Sequence, residues 1–218
     1  MNSDEGALMN SDQKHPVGAR PLTYTGRPLP RRLAEWLGPQ CGQLQEGRRV
    51  QLLEVYCGGE SNLSTLVMQS DGIAIRIGLD SGHDLLKREE RKLLTEAVEH
   101  FKPQHIHCAW PCKGLGAWNK INMNSKKSPQ ARQTAYEDRL RSQQHLRVFD
   151  SLPRQSTTLR LGISGENPIQ SDAWYISREA YSMPSSRVDQ CMYGLKHPNG
   201  KKSHMKPTYF FPNRKACL

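Results

Sequence analysis

Short apolar runs alternate with amphipathic stretches through the middle of the chain. The runs over residues 50–56, 73–77 and 104–109 each end near Gly or Pro and predict buried strands. Residues 62–70 and 86–101 carry apolar side chains at helical spacing and predict amphipathic helices. Because strands that alternate with helices form parallel sheets with right-handed crossovers, the pattern predicts an α/β fold with a mostly parallel sheet.

The two ends of the chain lie outside this region of alternating strands and helices. Residues 1–47 are polar and rich in Pro, which predicts a disordered or loosely docked lead with at best one short helix between residues 31 and 45. The pattern places the folded domain at residues 48–213 and a short tail at residues 214–218.

The second half of the chain is less regular. Ser128 is expected to cap a helix that begins at Pro129 and ends near Asp150. Residues 157–164 are predicted to form a further strand. Residues 187–195 and 207–211 are predicted to form a hairpin around Asn199 and Gly200.

Charge and composition narrow the class of protein. The 31 Lys and Arg residues exceed the 21 Asp and Glu residues, and the formal net charge of +10 at pH 7 favours a polyanionic partner. No apolar run approaches the roughly 18 residues that span a bilayer, so no membrane segment is expected. Asp4 and Glu5 stand where a secretory signal would carry basic and apolar residues, which predicts an intracellular location, nuclear or cytoplasmic, where the six scattered cysteines remain thiols.

Ligands of open parallel sheets bind beyond the carboxyl ends of the strands, so the residues after each predicted strand are the candidate site. The first strand is followed by Tyr56, Cys57, Gly58, Gly59, Glu60 and Ser61. The two glycines permit a tight turn and a close approach of the backbone to a ligand, and the next helix offers unpaired N–H groups. A simple turn without a ligand is the alternative interpretation.

The third predicted strand is followed by Pro111, Cys112 and Lys113. A cysteine after a proline at a strand end, beside a lysine, stands where its thiolate can be exposed and stabilised for nucleophilic attack. The alternative is a buried cysteine that acts as a small apolar side chain.

Two other kinds of site around the end of the third predicted strand, a phosphatase loop and a zinc site, are disfavoured. A phosphatase loop that begins at His107 and Cys108 lacks its arginine, because Gly114 occupies that position. A zinc site from His105, His107, Cys108 and Cys112 is disfavoured because strand alternation puts Cys108 opposite the histidines, so no metal is expected.

The strand predicted at residues 157–164 is followed by Gly165, Glu166, Asn167 and Pro168. A glutamate at the end of a strand, close to a proline, is a candidate positioned acid. A solvated turn carboxylate is the alternative.

The order of these motifs resembles the DNA cytosine-5 methyltransferase family, in which a glycine turn, a Pro-Cys pair and a Glu-Asn pair follow successive strands. A last segment is similar to the end of phage-type and mobile-element members: Cys191, Tyr193 and Gly194, followed by Lys206, Pro207, Thr208 and Asn213. The resemblance extends from residue 51 to residue 213.

The resemblance implies a Rossmann-like class I methyltransferase fold that binds S-adenosylmethionine and methylates C5 of cytosine in DNA. In that family the cysteine attacks C6, which makes C5 nucleophilic, and the glutamate contacts the base and assists protonation at N3. The resemblance implies these roles for Cys112 and Glu166. The implied cofactor-binding residues are Tyr56, Cys57, Gly58, Gly59, Ser61, Asp84 and Pro111.

The implied partner is DNA, or RNA, and the candidate residues for nucleic-acid binding are Lys113, Asn167, Lys201, Lys202 and Lys206. The segment between Asn167 and Arg187 is too short for the target-recognition region of a full methyltransferase. A protein partner for target recognition is therefore a further expectation.

Departures from the family pattern keep an alternative function open. Glu60 follows the two glycines, where its carboxylate can repel the carboxylate of the cofactor, and Ile77 and Gly78 stand where an acidic residue is expected, with Asp80 the nearest substitute. The alternative is a catalytically inactive methyltransferase-like module of a mobile element that binds nucleic acid or acts as a scaffold. A dinucleotide-dependent enzyme is disfavoured because the spaced three-glycine turn is missing.

Overall fold

A six-stranded mixed sheet forms the centre of the structure, a computed structural model that describes residues 23–24, 27–44, 47–58, 61–124, 128–189 and 207–212. Its strands are β1 (Leu52–Val55), β2 (Ala74–Ile77), β3 (His105–Cys108), β4 (Gly162–Pro168), β5 (Ser186–Asp189) and β6 (Pro207–Pro212). Their order across the sheet is β2-β1-β3-β4-β6-β5. The first four strands are parallel to one another, and β6 is antiparallel to both β4 and β5. A separate two-residue ladder joins Thr23–Tyr24 to Arg27–Pro28.

The described part of the chain has seven helices, of which the second to the fifth connect parallel strands. They are α1 (Arg31–Leu37), α2 (Asn62–Gln69), α3 (Arg88–Phe101), α4 (Ala117–Met123), α5 (Pro129–Leu159), α6 (Ala173–Ile176) and α7 (Arg178–Ser182). Two 3-10 turns cover Gly38–Gln43 and Leu79–Ser81. The predicted α/β class with a mostly parallel sheet is confirmed, and the three predicted strands and two predicted helices of the middle of the chain are present with slightly shorter bounds.

The hydrophobic core covers one face of the sheet. Leu53, Ile106 and Ile163 form a registered row across β1, β3 and β4, and they are fully buried in a cluster with side chains of α3 and α5. Leu33 and Leu37 of α1 belong to the same cluster. The core therefore also includes residues from before the predicted start of the domain at residue 48.

The boundary between α5 and β4 differs from the prediction. Ser128 caps α5 as expected, since its Oγ accepts a hydrogen bond from the Ala131 amide at 3.1 Å. The helix does not end near residue 150 but continues to Leu159, and the predicted strand over residues 157–164 is wrong in its first half. The hydroxyls of Thr157 and Thr158 donate to carbonyls one turn earlier, which satisfies these polar side chains inside the helix.

The same shift moves the candidate acid into the sheet. β4 begins at Gly162 and runs through Pro168, so Glu166 and Asn167 are the two residues before the last residue of a strand rather than part of a turn after it. Both pair with β6 in register. The predicted hairpin strands are present as β5 and β6, which pair antiparallel, whereas the predicted turn at Asn199 and Gly200 lies outside the described residues.

None of the helices in the described part of the chain combines the length and apolar character that crossing a bilayer requires.

Candidate functional site

The carboxyl ends of four parallel strands meet at one edge of the sheet. Val55 of β1 is in register with Ile77 of β2 and with Cys108 of β3, and Cys108 is in register with Gly165 of β4. The segments after β1, β2 and β3 therefore converge beside the last residues of β4. This edge carries all three predicted motifs.

A cavity of about 210 Å³ opens at this edge. It is lined by Tyr56, Cys57, Gly58, Leu79, Asp80, His83, Leu85, Pro111 and His145. Four of the predicted cofactor residues are among them: Tyr56, Cys57, Gly58 and Pro111. The structure thus brings the glycine turn and the Pro-Cys segment to one cavity.

The backbone after β1 and β2 is closely packed around the cavity. A Cβ atom on Gly78 would lie 2.7 Å from the carbonyl oxygen of Cys57, so only glycine allows the two segments to approach this closely. Tyr56 has a φ of 64°, a left-handed conformation that non-glycine residues rarely adopt. Its hydroxyl donates to the carbonyl of His145 at 3.3 Å, which holds the phenol ring against α5.

Asp80 lies at the mouth of the cavity, just after β2. Its Oδ2 is 3.6 Å from the position that a Cβ atom on Gly58 would occupy. The side chain named as the nearest substitute for the missing acidic residue is therefore beside the glycine turn.

The other predicted cofactor residues are placed differently. The Ser61 hydroxyl donates to Oε1 of Glu54 at 2.6 Å, and Oδ1 of Asp84 accepts from the Leu86 amide at 3.1 Å. Neither side chain lines the cavity. Gly59 lies outside the described residues. Burial raises the pKa of the Cys57 thiol to about 11, so this cysteine lines the cavity as a neutral group.

Cys112 follows Pro111 in a turn that is fastened to α5. Its thiol is half-buried. The amide of Gly114 donates to Ser142 Oγ at 3.1 Å, and a Cβ atom on Gly114 would lie only 2.0 Å from the carbonyl oxygen of Asp138. Only glycine fits this contact, which fixes the segment after Cys112 on the helix.

Asn167 joins β4 to the segment that carries Cys112. Its Nδ2 donates to the carbonyl of Trp110 at 3.0 Å, two residues before the cysteine. The indole of Trp110 is 2% exposed and packs against Phe149 with ring centroids 4.4 Å apart. Glu166, the half-buried neighbour of Asn167, therefore lies at the same edge of the sheet as Cys112.

The predicted nucleic-acid residues divide into three groups. Asn167 is 2% exposed and holds the Trp110 carbonyl, so in this arrangement it is not on a surface that a nucleic acid can touch. Lys113 has a side chain that is 79% exposed and forms an ion pair of 2.9 Å with Asp138. Lys201, Lys202 and Lys206 lie outside the described residues.

The residues of the two disfavoured sites lie on opposite faces of β3. His105 and His107 share the hydroxyl of Ser164, at 2.6 Å from His105 Nε2 and 2.9 Å from His107 Nδ1. Cys108 is fully buried in the core, and burial raises the pKa of its thiol well above the usual value. Cys108 is thus neither a metal ligand beside the histidines nor an exposed nucleophile.

Several lining residues had not been predicted: Leu79, His83, Leu85 and His145. The signal for His145 is its position on α5, because it falls in the buried stripe with Ser142, Phe149 and Leu152 at helical spacing. A titratable side chain in an otherwise buried stripe is a candidate site residue. Leu79 and Leu85 carry no comparable signal, since isolated leucines in a loop are common.

A larger cavity of about 500 Å³ lies on the surface of α3 and α5. It is lined by Leu86, Arg91, Gln144, Arg147, Val148 and Ser151. None of the predicted site residues lines it.

Comparison of the chain with models of known protein families gives no match, and no curated protein matches it either.

Proposed function

We propose that the protein binds S-adenosylmethionine and methylates C5 of cytosine in DNA. Cys112 acts as the nucleophile and Glu166 as the acid partner. A mostly parallel sheet with a cavity at the carboxyl ends of its strands supports this function, because that is where open α/β sheets bind their ligands.

The lining of the cavity fits the adenosyl part of this cofactor. Leu79, Leu85 and Pro111 supply apolar contacts for a flat base, and the Asp80 carboxylate is an acceptor for ribose hydroxyls. The cavity of about 210 Å³ is smaller than the roughly 300–1,000 Å³ of pockets that enclose a whole drug-sized ligand. The lining residues would therefore hold the adenosine part alone.

The proposed reaction divides between two side chains. The Cys112 thiolate adds to C6 of the base while Glu166 holds a proton at N3, which leaves C5 electron-rich. S-adenosylmethionine supplies the methyl group that C5 takes up. The C5 proton then passes to water, the N3 proton returns to the Glu166 carboxylate, and the Cys112 thiolate is expelled as the C5–C6 double bond forms again. S-adenosylhomocysteine would be the other product. Since C5 and C6 are hidden in a duplex, the base must be flipped toward Pro111 and Cys112.

One observation carries the proposal: the hydrogen bond from Asn167 to the Trp110 carbonyl. It fastens the segment with Pro111 and Cys112 to the strand end with Glu166, and Pro111 also lines the cavity. In this proposal the contact keeps the Cys112 segment, the Glu166 strand end and the cavity at one edge of the sheet, although their residues are far apart in the chain.

A covalent trap tests the proposal. The protein is incubated with S-adenosylmethionine and duplex oligonucleotides that contain 5-fluorocytosine. This base carries fluorine at C5 in place of the proton that must leave, so the covalent adduct cannot break down. The expected result is a denaturation-resistant protein–DNA adduct on a gel, which is absent in Cys112→Ser.

The matched control is Cys41→Ser, since Cys41 is also a half-buried thiol but lies near α1, where it donates to the Ala34 carbonyl at 3.2 Å. This variant keeps the adduct. If the wild-type protein binds the cofactor but forms no adduct across varied DNA sequences, catalysis is excluded and the inactive nucleic-acid-binding module becomes the better description. An adduct that persists in Cys112→Ser assigns the nucleophile elsewhere.

A further inference from the structure

The polar groups that line the cavity differ in whether they already have hydrogen-bond partners. The Tyr56 hydroxyl donates to a carbonyl, and both ring nitrogens of His83 are engaged, Nδ1 with Ser81 Oγ and Nε2 with the Trp36 carbonyl, each at 3.0 Å. The Cys57 thiol is directed to the Glu54 carbonyl at 3.5 Å. These three side chains build the wall of the cavity.

His145 differs from these three side chains, because it has no side-chain hydrogen bond among the described residues. Its side chain lines the cavity and is only 6% exposed, yet its Nδ1 is enclosed without a hydrogen-bond partner in the described structure. Nε2 has no partner among the described residues either, so this nearly buried ring makes no side-chain hydrogen bond there, although polar groups in such places usually make at least one. The ring cannot easily turn away, because it packs edge-to-face on Tyr56 with centroids 5.0 Å apart.

The chemistry of the ring indicates what completes it. Burial favours the neutral imidazole, which carries a single N–H. Because an unpaired N–H is rarer in buried places than an unpaired acceptor, the proton belongs on Nε2 rather than on the enclosed Nδ1. Nε2 has no partner among the described residues and is not one of the enclosed atoms, which leaves it as the nitrogen that a ligand can reach. The ligand atom must then be a hydrogen-bond acceptor.

We propose that His145 is a specificity-determining residue of the cavity that donates a hydrogen bond to an acceptor on the adenosine part of the cofactor. This assignment rests on the proposed function, because it presumes an adenosyl ligand. Purine ring nitrogens and ribose oxygens are the acceptors that such a ligand offers. His145 therefore selects a nucleoside by its hydrogen-bonding edge, while Leu79, Leu85 and Pro111 contribute only apolar contact.

Calorimetric titration of the full chain at pH 8 tests the proposal, with S-adenosylhomocysteine, S-adenosylmethionine and adenosine as separate ligands. We expect His145→Phe to raise the Kd for S-adenosylhomocysteine about 5- to 10-fold, as loss of one neutral hydrogen bond predicts. His145→Gln, which retains a donor, recovers most of the affinity. Gln144→Ala, at the exposed neighbouring position that faces away from this cavity, leaves the Kd unchanged.

A second measurement separates binding from folding. If His145 contacts the ligand, the rise in Tm that saturating ligand produces is smaller in His145→Phe than in the wild-type protein, whatever the Tm of the ligand-free variant; an equal rise means that the ring serves the core alone. Deaza analogues of S-adenosylhomocysteine then identify the acceptor, since one of them loses affinity for the wild-type protein but not for His145→Phe.

The outcomes distinguish this proposal from the proposed function. Equal Kd values for the wild-type protein and His145→Phe overturn the role of His145 and leave the methyltransferase function standing. Binding of adenosine without binding of S-adenosylmethionine or S-adenosylhomocysteine retains the role of His145 and overturns the cofactor. Absence of binding for all three ligands overturns both.

Discussion

At the scale of single residues, burial lowers the pKa of four histidines. His83, His105, His107 and His145 lie in or beside packed regions, and desolvation lowers the pKa of each imidazole. The shift is largest for His107, whose pKa falls to about 4 because burial outweighs the attraction of Glu54. All four therefore remain neutral at pH 7, as hydrogen-bonding groups rather than charges.

Acid is expected to destabilise the protein through His107. The unfolded imidazole takes up a proton near pH 6.5, whereas the folded one does so only near pH 4, so the unfolded state binds more protons between these values. Stability falls as the pH is lowered through this window, and His107 accounts for about 2 kcal/mol between pH 7 and pH 5.

Urea unfolding of the wild-type protein and of His107→Gln, each at pH 7 and at pH 5, measures this loss of stability. The variant is expected to lose about 2 kcal/mol less than the wild-type protein over the same interval, whatever its stability at pH 7. Equal losses in the two proteins would show that His107 is already solvated in the folded state.

Helix α5 organises the site at the scale of secondary-structure elements. Its residues Asp138 and Ser142 hold Gly114, and one turn further along His145 reaches the cavity. Asn119 of α4 adds two hydrogen bonds, from its Nδ2 to the carbonyls of Gly114 at 2.7 Å and Ala135 at 2.9 Å. The segment after Cys112 is thus held in place by a helix that also contributes His145 to the lining of the cavity.

Substitution of Gly114 tests this attachment. In Gly114→Ala the new methyl group meets the backbone of Asp138 at 2.0 Å, so the segment must move off the helix. We expect a loss of stability of about 1–3 kcal/mol, the usual cost of overpacking, together with a weaker covalent trap. Urea unfolding and the gel assay measure the two effects.

Gly116→Ala is the matched control in the same segment. The nearest atom to its added methyl group is the Cys112 carbonyl oxygen at 3.4 Å, which is close to ordinary contact, and its stability is expected to stay within about 1 kcal/mol of the wild-type protein. If both alanines are tolerated equally, the segment is not held against α5 in solution.

Net charge acts at the scale of the whole molecule. The formal charge of +10 favours a polyanionic partner, whereas the proposed function expects the chemistry at one edge of the sheet. Among the predicted phosphate contacts, Lys113 already forms an ion pair with Asp138, so Lys201, Lys202 and Lys206 are expected to contribute more of the electrostatic attraction.

The salt dependence of duplex binding measures this contribution. We expect the triple variant Lys201→Gln, Lys202→Gln and Lys206→Gln to reduce the slope of log K against log salt by about 1 for each phosphate contact that is lost. The double variant Lys87→Gln and Lys102→Gln, at the exposed ends of α3, serves as the control and leaves the slope unchanged. Equal reductions in the two variants would indicate binding by diffuse charge without a defined surface.

The periodic parts of the chain could be predicted because their residues reflect local geometry. The strand at β1 and the helix α3 follow from apolar runs and helical spacing, and the cap at Ser128 follows from its hydroxyl before a proline. The end of α5 could not be predicted in the same way. Thr157 and Thr158 favour strands by propensity, but their hydroxyls find carbonyls inside a helix that the core already holds in place.

The sequence by itself determined the alternation of strands and helices from residue 50 to residue 109, the positive charge, and the motifs at the ends of strands, because these depend on neighbours in the chain. Only the tertiary structure decided which of those motifs meet. It brought Tyr56, Gly58 and Pro111 to one cavity, assigned the Asn167 amide to the Trp110 carbonyl, and left the His145 ring with an unpaired nitrogen. These facts depend on strand register and on the packing of α5, which join residues far apart in sequence and leave no local pattern.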